Sequence, residues 1–437
     1  MKKSICLVGT GPVALVAFTM LKNLDINLTV IQGINSRPSN SKLNHKLILK
    51  NRFSKRWFYD SGIPIPHLKN HLFNSIETNT LGGLSNIWGG VFFYPRLEND
   101  KEYRTTNSEL LEFEGFCRDK LKMHFLSSVE LQKNQYFSIK RYLIEEFVPP
   151  IAFEVDSFEI WSAKDKWNIP QQKNIKFVKN TVTKLKQIKK DNKPKVYVET
   201  IQDMESVEFD EVFLACNAIG NAKIIAGSTL KKVRVKDSQT FYLIALGFKK
   251  KIQIYQKMYP RTAGYLSINN NTLYFQNYDI SDELIHSFIF PRLLKFILQT
   301  LKIVKIEIKI MMVFLNGEDS AYFDIYNENK NLKIDVNNTR KFKIINYYWI
   351  LLNYFKSKGF FLLPLRLKSK VGEGSHCSGM KLIDKNSESD SAFEMNLQGE
   401  IKILGMSNFT NVYGGPVTYL AMFDTYKKIK KLVESIE

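Results

Sequence analysis

A glycine-rich turn near the amino end has the residue types and the spacing of a phosphate-binding site. Gly9, Gly11 and Ala14 form a Gly-x-Gly-x-x-Ala pattern, with Pro12 and Val13 inside it. In such a pattern the first glycine permits a tight turn, and the second lets the backbone approach a pyrophosphate. The small third residue lets the helix pack closely on the strand, and the helix amides face the phosphates. The pattern predicts a bound dinucleotide; the alternative is a turn without a ligand.

The segments on either side supply the elements that this turn needs. Residues 4–9 predict a buried strand, residues 12–24 a helix and residues 27–32 a second strand. A strand, a helix and a strand in this order predict a parallel sheet. Gln32 ends the second strand, where an acid usually binds the ribose hydroxyls. An amide can make those hydrogen bonds without the charge.

Composition narrows the class of protein. The chain has 437 residues, enough for two intertwined domains. The net charge of +20 has two interpretations. It indicates either an anionic partner or compositional drift, that is, a general abundance of lysine without a functional role. We prefer compositional drift and predict no nucleic-acid partner, because the basic residues are scattered and no nucleic-acid motif is present.

The four cysteines lack metal-type spacing, which predicts no metal site and free thiols in a reducing cytoplasm. We predict neither a signal peptide nor a transmembrane helix.

Three further parts of the sequence accompany the turn at 9–14, namely the segments 80–90 and 213–223 and a carboxyl-terminal pair at 375–380 and 408–416. Together these four parts resemble the glucose–methanol–choline family of oxidoreductases, in its pyranose-oxidase-like branch. They occur in the family's order and span nearly the whole chain, whereas residues 230–365 match nothing. The resemblance implies an FAD cofactor. It also implies non-covalent binding, because Ile87 stands where certain relatives attach FAD through a histidine.

The resemblance further implies a set of cofactor-binding residues. Glycines fit such a set because they remove side chains where backbone must press against a planar ring. Trp88 has two interpretations, packing on that ring or filling the core. The implied FAD-binding residues are Gly9, Gly11, Pro12, Val13, Ala14, Gln32, Gly82, Gly83, Ser85, Asn86, Trp88, Gly89, Val182, Ala215, Cys216, Asn217, Gly414, Gly415, Pro416 and Val417.

His376 matches the catalytic histidine of the family's His-x-x-Gly motif. A histidine suits removal of a hydroxyl proton because its pKa lies near neutrality, so the resemblance implies a base that acts as hydride passes to flavin N5. The alternative is a histidine that only supports structure near the cofactor. The family normally adds a second His or Asn before the final helix, but Gly415 stands there. Tyr413 or Asn411 could substitute.

The predicted fold class is α/β, with a Rossmann-like FAD/NAD(P)-binding domain and a discontinuous, antiparallel-sheet (α+β) substrate domain. We assign residues 1–95, 170–230 and 370–437 to the FAD-binding domain, and residues 96–169 and 231–369 to the substrate-binding domain. Further strands are predicted at 175–179, 195–200, 212–216, 241–246, 264–268, 272–275 and 401–404, and helices at 283–303, 342–356 and 416–433.

Two apolar segments with interleaved cations, 286–305 and 342–368, have two interpretations. As helices they could rest on an anionic bilayer, which would favour a lipid-linked substrate and a membrane-peripheral location. We prefer core helices of the substrate domain, since apolar helix faces usually serve a core.

Three functions remain open at this point. The first is oxidation of an alcohol group in a small molecule, such as a sugar, polyol or glycoconjugate. The second is a different redox reaction on the same fold, such as a reduction or a desaturation, because Gly415 breaks the family's catalytic pair. The third is a flavin-binding partner protein without activity.

Overall fold

A computed structural model provides the fold for most of the chain. The residues that it describes are 2–34, 63–64, 76–77, 81–86, 91, 106–124, 135–139, 142–147, 149–154, 161–169, 172–191, 193–202, 204, 208–229, 231–248, 262–268, 271–279, 296, 300, 306–316, 319–329, 331–337, 341–366, 371–372, 377–383, 400–409 and 415–436.

Helices and strands alternate at both ends of the chain, and strands dominate its middle. The helices are α1 Pro12–Leu21, α2 Asn107–Leu121, α3 Asn217–Ser228, α4 Lys341–Ser357 and α5 Thr418–Ile436. The strands are β1 Ser4–Val8, β2 Asn27–Gln32, β3 Ile63–Pro64, β4 Ile76–Glu77, β5 Met123–His124, β6 Gln135–Ile139, β7 Tyr142–Phe147, β8 Phe153–Glu154, β9 Ile175–Lys179, β10 Val182–Lys190, β11 Lys193–Thr200, β12 Glu208–Phe209, β13 Glu211–Leu214, β14 Lys232–Asp237, β15 Thr240–Phe248, β16 Thr262–Ile268, β17 Asn271–Asp279, β18 Ile306–Phe314, β19 Tyr322–Glu328, β20 Asn331–Asn337, β21 Phe360–Arg366, β22 Cys377–Ile383 and β23 Ile401–Ile403.

One parallel sheet combines strands from the beginning, the middle and the end of the chain, in the strand order β23-β13-β1-β2-β9 within the described residues. β1 lies at its centre and is covered on both faces, so its apolar residues run almost continuously. Ile5 and Leu7 join the core formed with α1 and α5. Cys6 and Val8 join the core formed with α3. The predicted strand–helix–strand opening and the α/β fold class are confirmed.

Local features of the sequence and the backbone explain where the first helix begins and ends. Gly11 is its extended N-cap and Pro12 is its first residue, a position that needs no amide donor. The prediction extended this helix to residue 24, but it ends at Leu21. The Lys22 amide still bonds to the Phe18 carbonyl at 2.9 Å, after which a tight turn returns the chain to β2. The ends of the last helix also differ from the prediction, since α5 covers 418–436 rather than 416–433.

Antiparallel sheets occupy the middle of the chain. Their orders are β10-β11-β12, then β20-β19-β14-β22, and then the long sheet β21-β15-β18-β17-β16-β7-β6. β14 and β15 are separated by only Ser238 and Gln239, both buried, so the chain passes directly from one sheet to the next. Parallel and antiparallel sheets therefore coexist, as the fold prediction requires.

α4 covers one face of the long sheet. Its buried stripe comprises Ile344, Tyr347, Leu351, Tyr354 and Phe355, which pack in one core with residues of β15, β17 and β18. The core interpretation of residues 342–356 is thereby favoured. The predicted helix at 342–356 is confirmed, since α4 covers 341–357, whereas residues 360–366 of the same apolar segment form β21 and pair with β15. Of the first segment, 286–305, only Phe296 and Thr300 are described.

The domain division remains a prediction. Phe113 of α2, Trp161 and Trp167 pack in the same core as α1 and α5. These three residues therefore contact the parallel-sheet half, although we predict residues 96–169 for the substrate-binding domain.

We expect replacement of Trp349 by alanine to change vesicle binding less than about twofold, because the main apolar stripe of α4 already serves the core. Trp349 is 56% exposed on the opposite side of the helix. Sedimentation with phosphatidylserine vesicles measures this, with phosphatidylcholine vesicles as the control. A loss of binding of about tenfold would instead support the bilayer interpretation. Among the described residues, no helix combines the length and the apolar character needed to cross a membrane.

Candidate functional site

The glycine turn lies where three strands of the parallel sheet end. The Gly9 amide donates to the Ile31 carbonyl at 2.9 Å, and the Ala215 amide donates to the Val8 carbonyl at 2.8 Å. Gly9 has φ +113°, and a Cβ on it would lie 2.5 Å from the Ala215 carbonyl oxygen. This position therefore requires glycine for two independent reasons, the backbone angle and the close approach of β13.

Gly11 lies at the open end of α1. A Cβ on Gly11 would meet no described heavy atom within 4 Å, and no side chain caps this helix. Gly83 approaches from the second glycine segment with φ +58°, and a Cβ on Gly83 would lie 3.1 Å from the Gly11 Cα. The Gly82 amide donates to the Thr10 carbonyl at 2.9 Å. Two segments that are far apart in sequence thus place bare backbone side by side.

Ser85 fixes the second glycine segment in place. Its buried hydroxyl donates to the Gly82 carbonyl at 2.7 Å and accepts from the Ala163 amide at 3.0 Å. The backbone of Asn86 closes the same short 3-10 helix, Gly83–Asn86. Ser85, a predicted cofactor-binding residue, therefore uses its side chain to hold protein structure beside the turn.

The third segment reaches the same sheet edge at the start of α3. The Cys216 thiol donates to the Val8 carbonyl at 3.3 Å. Asn217 has φ +61°, and its side-chain oxygen accepts from the amides of Ile219 and Gly220 at 2.9 and 3.0 Å. Both side chains are engaged in the local turn, so backbone is what this segment presents. Burial raises the pKa of the Cys6 thiol, and the neighbouring Cys216 raises it further.

Gln32 and Val182 lie at the next edge of the sheet. Gln32 ends β2, and its carbonyl accepts from the Asn180 amide at 2.8 Å. Val182, two residues after Asn180, begins β10 and is buried. The chain beyond β2 is held in the same place, because the Ile34 amide donates to the Thr181 hydroxyl at 3.1 Å. The structure therefore brings these two predicted residues to one side of the turn.

The carboxyl-terminal segment meets the turn through α5. Val13 and Val417 belong to one apolar cluster, together with Leu420 and Ala421. Pro416 directly precedes Val417, and Gly415 is buried with φ +140°. Residues with side chains rarely adopt that angle, so a histidine at this position would strain the backbone. The backbone conformation gives a physical reason for glycine where the family has its second polar residue.

Several predicted site residues lie outside the described part of the chain. These are His376, Trp88, Gly89, Gly414 and the side chain of Asn86.

The described residues that flank His376 converge on Asp237. This carboxylate is fully buried and accepts from the Gly372 amide at 2.8 Å and from the Cys377 thiol at 3.5 Å. Burial raises the pKa of that thiol well above its usual range, and the adjacent Asp237 adds to the effect. Asp237 was not predicted from the sequence, because a single acid at a strand end carries no motif.

A second contact that was not predicted joins the segment 213–223 to Ser407, which directly precedes the segment 408–416. Asn221 is fully buried, accepts from the Cys216 amide at 2.9 Å and donates to the Ser407 hydroxyl at 3.0 Å. Asn221 lies inside the segment 213–223, so a buried amide in an otherwise apolar helix was the available signal. Trp167, also missed, donates its indole N–H to the Thr10 carbonyl at 3.0 Å.

The chain therefore combines a Rossmann-like parallel sheet with large antiparallel sheets, and a glycine turn lies at the carboxyl ends of the parallel strands. In a comparison with solved structures, the fold is similar to that of pyridoxine 4-oxidase from Mesorbium loti, with a TM-score of 0.56. The likeness covers 98% of this chain and 99% of that one, at 11% sequence identity. At this identity the likeness establishes the fold. No protein-family model and no curated protein sequence matches the chain.

Proposed function

We propose that this chain is an FAD-dependent oxidoreductase that oxidises an alcohol group of a small molecule. The observation that carries the proposal is the meeting of Gly9, Gly11 and Gly83 at the open amino end of α1. A pyrophosphate needs close access to backbone amides, and a side chain at any of these positions would fill or strain that cradle. The residues present therefore fit a dinucleotide.

The fold supports the same class of enzyme. Its likeness to a pyridoxine oxidase extends over nearly the whole of both chains, including the antiparallel sheets. A glycine turn alone would fit many nucleotide-binding proteins, whereas this combination of sheets occurs in an oxidase of similar length.

We assign roles to the chain's own residues as follows. The amides at Gly11 and Val13 bind phosphate oxygens, and Gln32 binds ribose hydroxyls. The amino end of α5, directly after Val417, stabilises negative charge near the ring. Bound FAD supplies a hydride acceptor. His376 removes the hydroxyl proton of the substrate. The FAD is held non-covalently, and a sugar, polyol or glycoconjugate is the proposed substrate class.

A different redox reaction is the second candidate, and Gly415 is the observation that favours it. Its φ of +140° disfavours any side chain at this position, where the family that this sequence resembles has its second polar residue. A reduction or a desaturation would not require that residue.

Anaerobic mixing of the FAD-loaded protein with a panel of sugars and polyols tests the first candidate. Bleaching of the flavin by one or more of these alcohols is the expected result. Absence of bleaching by every alcohol of the panel would contradict the first candidate and favour the second.

A further inference from the structure

The carbonyl group of Thr10 accepts two hydrogen bonds from other parts of the chain. One comes from the Gly82 amide at 2.9 Å and the other from the Trp167 indole N–H at 3.0 Å. Thr10 is the residue between the two glycines of the turn, and both it and Trp167 are buried. Two hydrogen bonds from residues outside the turn therefore fix the position of its central carbonyl group.

Holding this carbonyl also orients an amide. The carbonyl of Thr10 and the N–H of Gly11 belong to one planar trans peptide unit, so they point to opposite sides. If the oxygen is fixed toward Gly82 and Trp167, the Gly11 N–H is fixed away from them. Glycine would otherwise let this peptide unit rotate, because its backbone tolerates many angles.

The indole of Trp167 is itself rigidly placed. Its ring lies 4.9 Å from the Phe18 ring of α1 and 6.3 Å from the Phe177 ring of β9, measured between centroids. Ala163, four residues earlier, donates to Ser85 at 3.0 Å. The stretch from 161 to 169 thus supports the turn directly and the second glycine segment through Ser85.

We propose that Trp167 is a positioning residue for the dinucleotide site, which sets the direction of the Gly11 amide through the Thr10 carbonyl. The inference rests on the proposed function, because the ligand it serves is FAD. Trp167 prepares the phosphate-binding backbone before the cofactor arrives, and such preorganisation raises affinity by lowering the cost of ordering on binding.

The chain offers a matched control in Trp161. Trp161 is fully buried in the same core, and its indole N–H donates to the Leu121 carbonyl at 2.9 Å, at the end of α2. Trp161→Phe and Trp167→Phe therefore each remove one buried indole hydrogen bond and retain an aromatic ring. Only the second change removes a hydrogen bond from the glycine turn.

Equilibrium titration of the full-length apo-protein with FAD, followed by flavin fluorescence, tests the inference. We expect Trp167→Phe to weaken FAD binding about tenfold and Trp161→Phe to change it less than about twofold. Thermal unfolding without FAD checks that both variants fold. If Trp167→Phe does not fold, β-(3-benzothienyl)alanine at position 167, in which sulfur replaces the N–H, repeats the comparison.

The outcomes are distinct. Equal FAD affinity in the wild type and in the position 167 variant overturns the inference and leaves the proposed function intact. An equal loss in both variants also overturns it, since the effect would then be general to the core. A folded wild-type protein that binds no FAD overturns the proposed function and, with it, the role of Trp167.

Discussion

Replacement of Gly9 by alanine abolishes FAD binding and lowers the free energy of unfolding by about 3 kcal/mol or more. The reason is geometric: the new Cβ would lie 2.5 Å from the Ala215 carbonyl oxygen, at a φ of +113° that alanine rarely adopts. Relief would require β13 to move away from the turn. Urea denaturation and FAD titration of the variant measure both effects.

Gly115→Ala is the matched control. Gly115 lies inside α2, and a Cβ there meets no described heavy atom within 4 Å. Alanine should therefore stabilise the helix by about 0.5–1 kcal/mol and leave FAD affinity unchanged. A Gly9→Ala protein as stable as the Gly115→Ala protein, with FAD bound normally, would show that the turn tolerates a side chain.

Replacement of His376 by alanine should slow reduction of bound flavin by the substrate alcohol about 100-fold or more, because no base then takes the hydroxyl proton. Binding of FAD should remain close to wild type. Stopped-flow bleaching under anaerobic conditions measures the rate at saturating substrate.

His124→Ala provides the comparison for this experiment, since His124 is exposed at the end of β5. We expect its rate to equal the wild-type rate. An unchanged rate in the His376 variant would remove this residue from the chemistry and favour the structural interpretation of the His-x-x-Gly motif.

The local sequence pattern correctly predicted the strands and the helix on either side of the glycine turn. An apolar run, a proline at the first helical position and a second apolar run define β1, α1 and β2, and each lies within a few residues of its predicted place. These features are local because sheet burial and helix initiation depend on neighbouring residues.

One helix was missed although the sequence contains a signal for it: Thr106 and Glu109 form a capping box at the start of α2. The helix predicted at 342–356 agrees with α4, and Gly359, with φ +81°, follows the end of α4 and lets the chain turn into β21. Glycine just beyond a helical pattern is a common stop.

The contacts that organise the site could not be predicted from the sequence. The hydrogen bond from Trp167 to Thr10 joins residues 157 positions apart. Asp237 likewise binds Gly372 and Cys377 across long stretches of chain. Side-chain bonds to backbone groups impose no periodicity and require no fixed partner type, so no motif records them.

Determination of the flavin content of the purified protein tests whether the glycine-lined turn binds FAD. We expect a yellow protein, or an apo-protein that takes up added FAD, with about one FAD per chain. Acid denaturation should release the flavin into the supernatant, because no histidine stands at position 87 to retain it. A correctly folded, colourless protein that takes up no FAD at any concentration would show that this chain is not a flavoprotein.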